Sequence, residues 1–234
     1  MPCKIEDYGL IGDCETAALV GRDGSIDWLC WPAFDADACF AAILGTEKHG
    51  RWKIAPAEEV SKISRRYWGN SLILETRFET KDGTVAVIDF MPPRGKASDV
   101  VRLVRGISGR VKLRMELVMR FGFGTDIPWV KKNEDGTGLL AICGQDMAVL
   151  RTPVETRGED MTSVADFEVG EGETVPFTLT YGPSPTTGPP SRRPGTARSL
   201  ASATIRGVCP QPTQEPWNRV RLRLRHWRVG LRRG

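Results

Sequence analysis

The sequence predicts an all-β protein: a large antiparallel β-sandwich with one short helix, followed by a disordered basic tail. Three observations carry this. Segment after segment alternates apolar and polar residues with period two, the mark of a strand with one buried face. Short clusters of turn residues separate those segments, as an antiparallel sandwich requires. At Pro183 the composition changes abruptly to proline, serine and arginine, which cannot continue a sheet.

Taken in chain order, Thr16–Val20 is a small apolar strand and Ile26–Trp31 its return strand. Arg22-Asp-Gly-Ser25 between them suits a hairpin turn, because Asp and Gly tolerate positive φ. Asp35 or Asp37 is placed to cap a short helix over Ala38–Leu44, with Gly45 ending it. Leu72, Leu74, Thr76 and Phe78 alternate with Glu75, Arg77 and Glu79, and Lys81-Asp-Gly83 turns this strand back into Thr84–Phe90. The clearest alternation is Arg110–Phe121. Val111, Leu113, Met115, Leu117, Met119 and Phe121 point one way, against Arg110, Lys112, Arg114, Glu116 and Arg120, with Val118 the exception. A helix would scatter these apolar residues around its circumference. Val100–Val104, Leu139–Cys143, Ala148–Arg151, Val164–Val169 and Val175–Tyr181 are further short strands. The turns read between them are Gly106-Ile-Ser-Gly109, Asn133–Gly138 and Gly170-Glu-Gly172.

Two domains follow: a sandwich over 1–182 and a tail over 183–234. The net charge of +4 hides their difference. Residues 1–182 hold 22 Lys plus Arg against 28 Asp plus Glu, whereas 183–234 hold 11 Arg, no Lys and the single acid Glu215. The tail reads in two ways. Arg219-Val-Arg-Leu-Arg-Leu-Arg225, with Trp217 and Trp227, suits an arginine arm lying along phosphates. Arginine without lysine, amid Pro, Gly, Ala and Ser, also suits out-of-frame translation of GC-rich DNA, which would leave the tail without structure or function. A nucleic-acid partner is therefore not expected.

No apolar run approaches the length of a membrane-spanning helix, and Met1-Pro-Cys-Lys-Ile-Glu-Asp7 lacks the plan of a signal peptide. The expected compartment is the cytoplasm, without a membrane partner. There the six cysteines stay reduced, and Cys14, Cys30 and Cys39 read as small buried hydrophobes. With no Cys-x-x-Cys pair and two histidines, neither a metal nor a cofactor is expected. Gly122 and Gly124 lack the context of a phosphate loop.

The early segment is the richest in chemistry. Asp13, Glu15, Asp23, Asp27, Asp35 and Asp37 crowd together, but turns, caps and backbone hydrogen bonds account for them better than a catalytic pair does. Trp28, Trp31, Phe34 and Trp52 offer flat rings that suit the apolar faces of pyranose sugars, or equally a core and a docking surface. Trp28, Trp31, Phe34 and Asp35 are the candidate substrate-binding residues; no catalytic residue is assigned.

Several motifs in series resemble the amino-terminal domain of glycoside hydrolase family 15, in its bacterial glucoamylase and trehalase-like branch. They are Asp7-Tyr-Gly-Leu-Ile-Gly-Asp13, Ala18-Leu-Val20, Asp23-Gly-Ser-Ile-Asp-Trp-Leu-Cys30, Pro32-Ala-Phe-Asp35 and Cys39-Phe-Ala41. Gly50-Arg-Trp-Lys-Ile-Ala-Pro56, Leu72–Phe78, Asp89-Phe-Met-Pro92, Val101-Arg-Leu-Val-Arg105, Arg120-Phe121, Ile127-Pro-Trp129 and Thr178-Leu-Thr-Tyr-Gly182 continue the series. One departure is Ala33, where the family commonly has Arg. The resemblance implies a β-sandwich that packs against a helical barrel, and the barrel's two glutamates perform inverting hydrolysis of α-glucosidic bonds. By the same token this chain is expected to stop short of the barrel, to lack its catalytic residues and to be inactive alone. Two other roles stay open: a standalone module that binds an α-glucan or α-glucoside, and a small protein with a nucleic-acid-binding arginine tail.

Overall fold

A computed structural model describes residues 4–133 and 138–184. The tail from residue 185 onward, with both readings of it, lies outside the described residues, as do Cys3 and Cys209. Except for the turn Gly69–Ser71, the described residues form one unit, to which the following description applies.

Fifteen strands follow one another: β1 (Tyr8–Gly12), β2 (Ala17–Gly21), β3 (Ser25–Cys30), β4 (Ala38–Phe40), β5 (Arg51–Pro56), β6 (Val60–Tyr67), β7 (Leu74–Thr80) and β8 (Gly83–Phe90). Then come β9 (Ser98–Val118), β10 (Trp129–Lys132), β11 (Gly138–Cys143), β12 (Asp146–Arg151), β13 (Arg157–Glu159), β14 (Thr162–Gly170) and β15 (Thr174–Pro183). Every strand pair is antiparallel, and four 3-10 turns are the only helical elements among the described residues.

The sandwich hinges on β9. Its first half pairs with β8 and β15, its second with β5 and β14. One strand therefore belongs to two sheets. The first runs β1-β2-β3-β5-β9-β14-β13, with β4 beside β5 on β3, and the second runs β6-β7-β8-β9-β15-β12-β11-β10. β1 packs on β7 and β8, and β5 on β7, which sets the sheets face to face. Their inner faces fill one core in which Trp52, Phe78, Phe177, Ile26, Leu113 and Met115 are fully buried.

Most strands lie where alternation puts them, and Val111, Leu113, Met115, Leu117, Met119 and Phe121 are all buried. Three expectations need correction. Gly106-Ile-Ser-Gly109 is not a turn: Val100–Val104 and Arg110–Val118 are parts of the single strand β9. The expected helix over Ala38–Leu44 is strand β4 followed by a 3-10 turn at Ala42–Leu44. Gly45 ends that turn as expected, but its N-cap is Ala41, so neither Asp35 nor Asp37 caps it. The third concerns Cys14. Cys30 and Cys39 are buried, whereas Cys14 is exposed at φ +74°, because Asp13 closes a tight loop around it.

Candidate functional site

The early motif cluster builds a braced loop rather than an open platform. Asp13 accepts the N–H groups of Glu15 (3.0 Å) and Thr16 (2.8 Å), which folds the chain back between β1 and β2. Its other oxygen accepts from Ser98 Oγ (2.8 Å) and Arg94 Nε (3.0 Å). Burial alone pushes the Asp13 carboxyl up. The N–H groups of Thr16 and Glu15, with Ser98 and Arg94, outweigh that and hold it below the usual range. A group so held carries no proton to give at neutral pH, so Asp13 is a structural anion.

Trp31 joins the same network. Its indole N–H donates to Ser98 Oγ at 3.0 Å, and its ring lies 5.7 Å from that of Tyr181. Tyr181 in turn donates to Asp146. Burial, then this carboxylate, pushes the Tyr181 phenol far above its ordinary range. The early segment, the start of β9 and the end of β15 are thereby pinned together. At 3% exposure, Trp31 presents no face to a ligand; its motif position reflects this pin.

The loop that follows, residues 31–37, is closed by its own backbone. Trp31 N–H donates to Asp37 O, Ala36 N–H to Ala33 O, and Phe34 N–H to Glu15 O. A rigid loop thus holds Phe34 outward at 63% exposure, with Asp35 exposed beside it. Trp28 is half-buried and meets Phe123 at 6.2 Å between ring centroids. Of the four rings read as a platform or patch, Phe34 offers a free face and Trp28 part of one, while Trp31 and Trp52 are interior.

Two further acids of the early segment are also engaged. Asp27 accepts from the hydroxyls of Ser25 and Tyr8 (2.7 Å), so side chains serve it rather than the expected backbone donors. Asp23 accepts from Ser25 N–H in the hairpin turn and pairs with Lys53 at 2.9 Å. Burial raises its affinity for a proton, but Lys53 more than reverses this and its carboxyl sits below the usual range.

The most informative pair was not anticipated. Asp89 on β8 and Arg102 on β9 are both fully buried. Arg102 donates to Asp89 through Nε at 2.8 Å and Nη2 at 3.3 Å. It also crosses the sandwich to the carbonyls of Trp52 and Gly24 (2.7 Å), with its guanidinium 5.2 Å from the Trp52 ring centroid. Each polar atom of the pair is answered, the condition for a buried charge to persist. A signal for it existed: Asp89 and Arg102 occupy inward positions of alternating strands, beside Val85 and Val87 and beside Val100 and Val104. Four motifs quoted from the sequence, those holding Gly24, Trp52, Asp89 and Arg102, thus converge on one bolt between the sheets.

An opening lies elsewhere. A groove of about 530 Å³ runs between β10, the free edge of one sheet, and β13, the free edge of the other. Leu117, Met119 and Leu139 lie at its base, and Ile127, Trp129 and Met161 line it with 54%, 78% and 66% of their surface exposed. No group of three or more His, Cys, Asp or Glu among the described residues is arranged to hold a metal.

Comparison with known proteins agrees with the motif reading. A family profile described as "Trehalase-like, N-terminal" matches residues 1–192. A trehalase of Thermoplasma volcanium is 34% identical over 140 residues, covering 57% of this chain and 22% of that protein. Trehalase 1 of Sulfolobus acidocaldarius is 30% identical over 152 residues (65% and 26%). A trehalase of Mycolicibacterium smegmatis is 33% identical over 138 residues (51% and 20%). The matches thus span about a fifth to a quarter of each relative's length. With its sandwich, its motif-built bolt and a match over most of its length, this chain belongs to the trehalase-like N-terminal domain family.

Proposed function

We propose that the chain is the non-catalytic amino-terminal domain of a glycoside hydrolase family 15 enzyme of the glucoamylase and trehalase-like kind. In the intact enzyme it braces a helical barrel that hydrolyses an α-glucosidic bond with inversion. The carrying observation is where the family-like motifs spend their polar groups. Asp13, Asp27, Asp89 and Arg102 are consumed by internal hydrogen bonds and none is left facing a cleft. Inverting hydrolysis needs one carboxyl held protonated and a second carboxylate across the sugar; Asp13 and Asp23 are held ionised instead.

On this reading the rigid loop at Phe34 and Asp35, with Trp28 beside it, borders the mouth of the barrel's sugar site, and buried Trp31 holds that loop in place. The bound sugar is an α-glucan or α-glucoside such as trehalose. The compartment is the cytoplasm, a reading supported by free thiols at Cys14, Cys30, Cys39 and Cys143. No helix among the described residues is long and apolar enough to cross a membrane.

The test is a trehalose and maltose hydrolysis assay on the purified 234-residue chain. The expected result is no glucose above a blank; turnover lost on substituting an acid of this chain would refute the reading.

A further inference from the structure

We propose that the groove between β10 and β13 is a twofold interface that takes a second copy of this chain. Among the described residues, large exposed apolar side chains concentrate there: Ile127, Trp129, Val130 and Met161 form a group around one opening. The groove reaches down to core residues Leu117, Met119 and Leu139, so apolar surface is left open to water there.

A second observation is backbone conformation. Asp160 (φ +44°) and Met161 (φ +61°) turn β13 into β14 in left-handed conformations that favour glycine. A methionine is retained at this turn, exposed over the groove, where Gly would fit without strain.

Charge selects the occupant. The β10 lip carries Lys131 and Lys132, the latter paired with Glu155 (3.9 Å); the opposite lip carries Arg157, Glu159 and Asp160. Among the described residues Lys131 and Asp160 have no ion-pair partner, whereas Glu159 is held by Arg114 (2.6 Å) and Arg157 (2.7 Å). A twofold axis through the apolar centre brings Lys131 of one copy to Asp160 of the other, twice over, so the surface is complementary to itself. Lysines on a free edge also oppose open-ended strand pairing, so the contact closes at two copies.

The experiment is sedimentation velocity on the full 234-residue chain across a concentration series. The wild type should form a dimer. Trp129→Asp should abolish it, while Phe34→Asp, at a comparably exposed ring, should leave it intact. Lys131→Glu should weaken the dimer about tenfold through two symmetric contacts. Adding Asp160→Lys to Lys131→Glu should restore it, an outcome that general loss of fold cannot give. A monomeric wild type overturns the proposal, including one whose groove binds a hydrophobic dye, since another occupant would then be implied. So does a dimer indifferent to Trp129→Asp and Lys131→Glu.

Discussion

Asp89 and Arg102 show what a buried charge does in this molecule. The pair lies between the sheets with its oxygens and nitrogens answered by each other and by two carbonyls of the facing sheet. Removing one partner leaves the other desolvated and unpaired. Asp89→Ala should therefore lower unfolding stability by about 3–5 kcal/mol in chemical denaturation. Asp13 supplies a pH test. Its folded-state carboxyl is held below the ordinary Asp range although burial alone would raise it. Its stabilising contribution is complete above the unfolded value of about 3.9, and is lost as pH falls through the lower folded value. Asp13→Asn should flatten this acid limb of the stability profile; an unchanged limb would show that other carboxylates dominate it. The sequence marked Asp13 among the crowded early acids and held Asp89 within a motif, but it showed the partner of neither. Arg102 becomes the partner of Asp89 through the register of β8 against β9, and Ser98 reaches Asp13 from 85 residues away; neither register nor contact is written in the local pattern.

At the scale of elements, alternation made most strands legible, because a half-buried strand writes its burial into every second residue. It failed where backbone geometry, rather than burial, sets the residue. Gly106 and Gly109 look like a turn, yet both lie inside β9. A Cβ at Gly106 would sit 2.0 Å from the Gly170 carbonyl oxygen, and one at Gly109 would sit 2.1 Å from that of Asp82. These glycines admit neighbouring backbone where one strand passes between two sheets. Gly106→Ala should destabilise by about 1–3 kcal/mol, readable as a lower melting temperature. The Ala38–Leu44 segment failed differently. Its apolar residues pack into the end of the sandwich as strand and 3-10 turn, and its small residues carried no period that separates those from a helix. Short strands such as β10 and β13 were missed because they are exposed on both faces, so burial writes no alternation into them.

For the whole molecule, the outer face of one sheet is covered by ion pairs that link Arg51, Glu116, Arg114, Glu159, Arg157 and Asp166 across β5, β9, β13 and β14. Exposed apolar surface gathers instead at the groove and at Phe34. The family was legible in the sequence through motifs, but their role was not. Asp13 and Trp31 of the early motif cluster act as bolts of the scaffold, as do Asp89 and Arg102. On the proposed reading, the chain holds structure for a glycosidase without holding its chemistry. Glucose release from trehalose by the purified chain, with its fold verified by near-ultraviolet circular dichroism, tests that claim most directly. The account predicts no release above the blank. Turnover by the folded chain that disappears with Asp13→Asn or Asp35→Asn would contradict it.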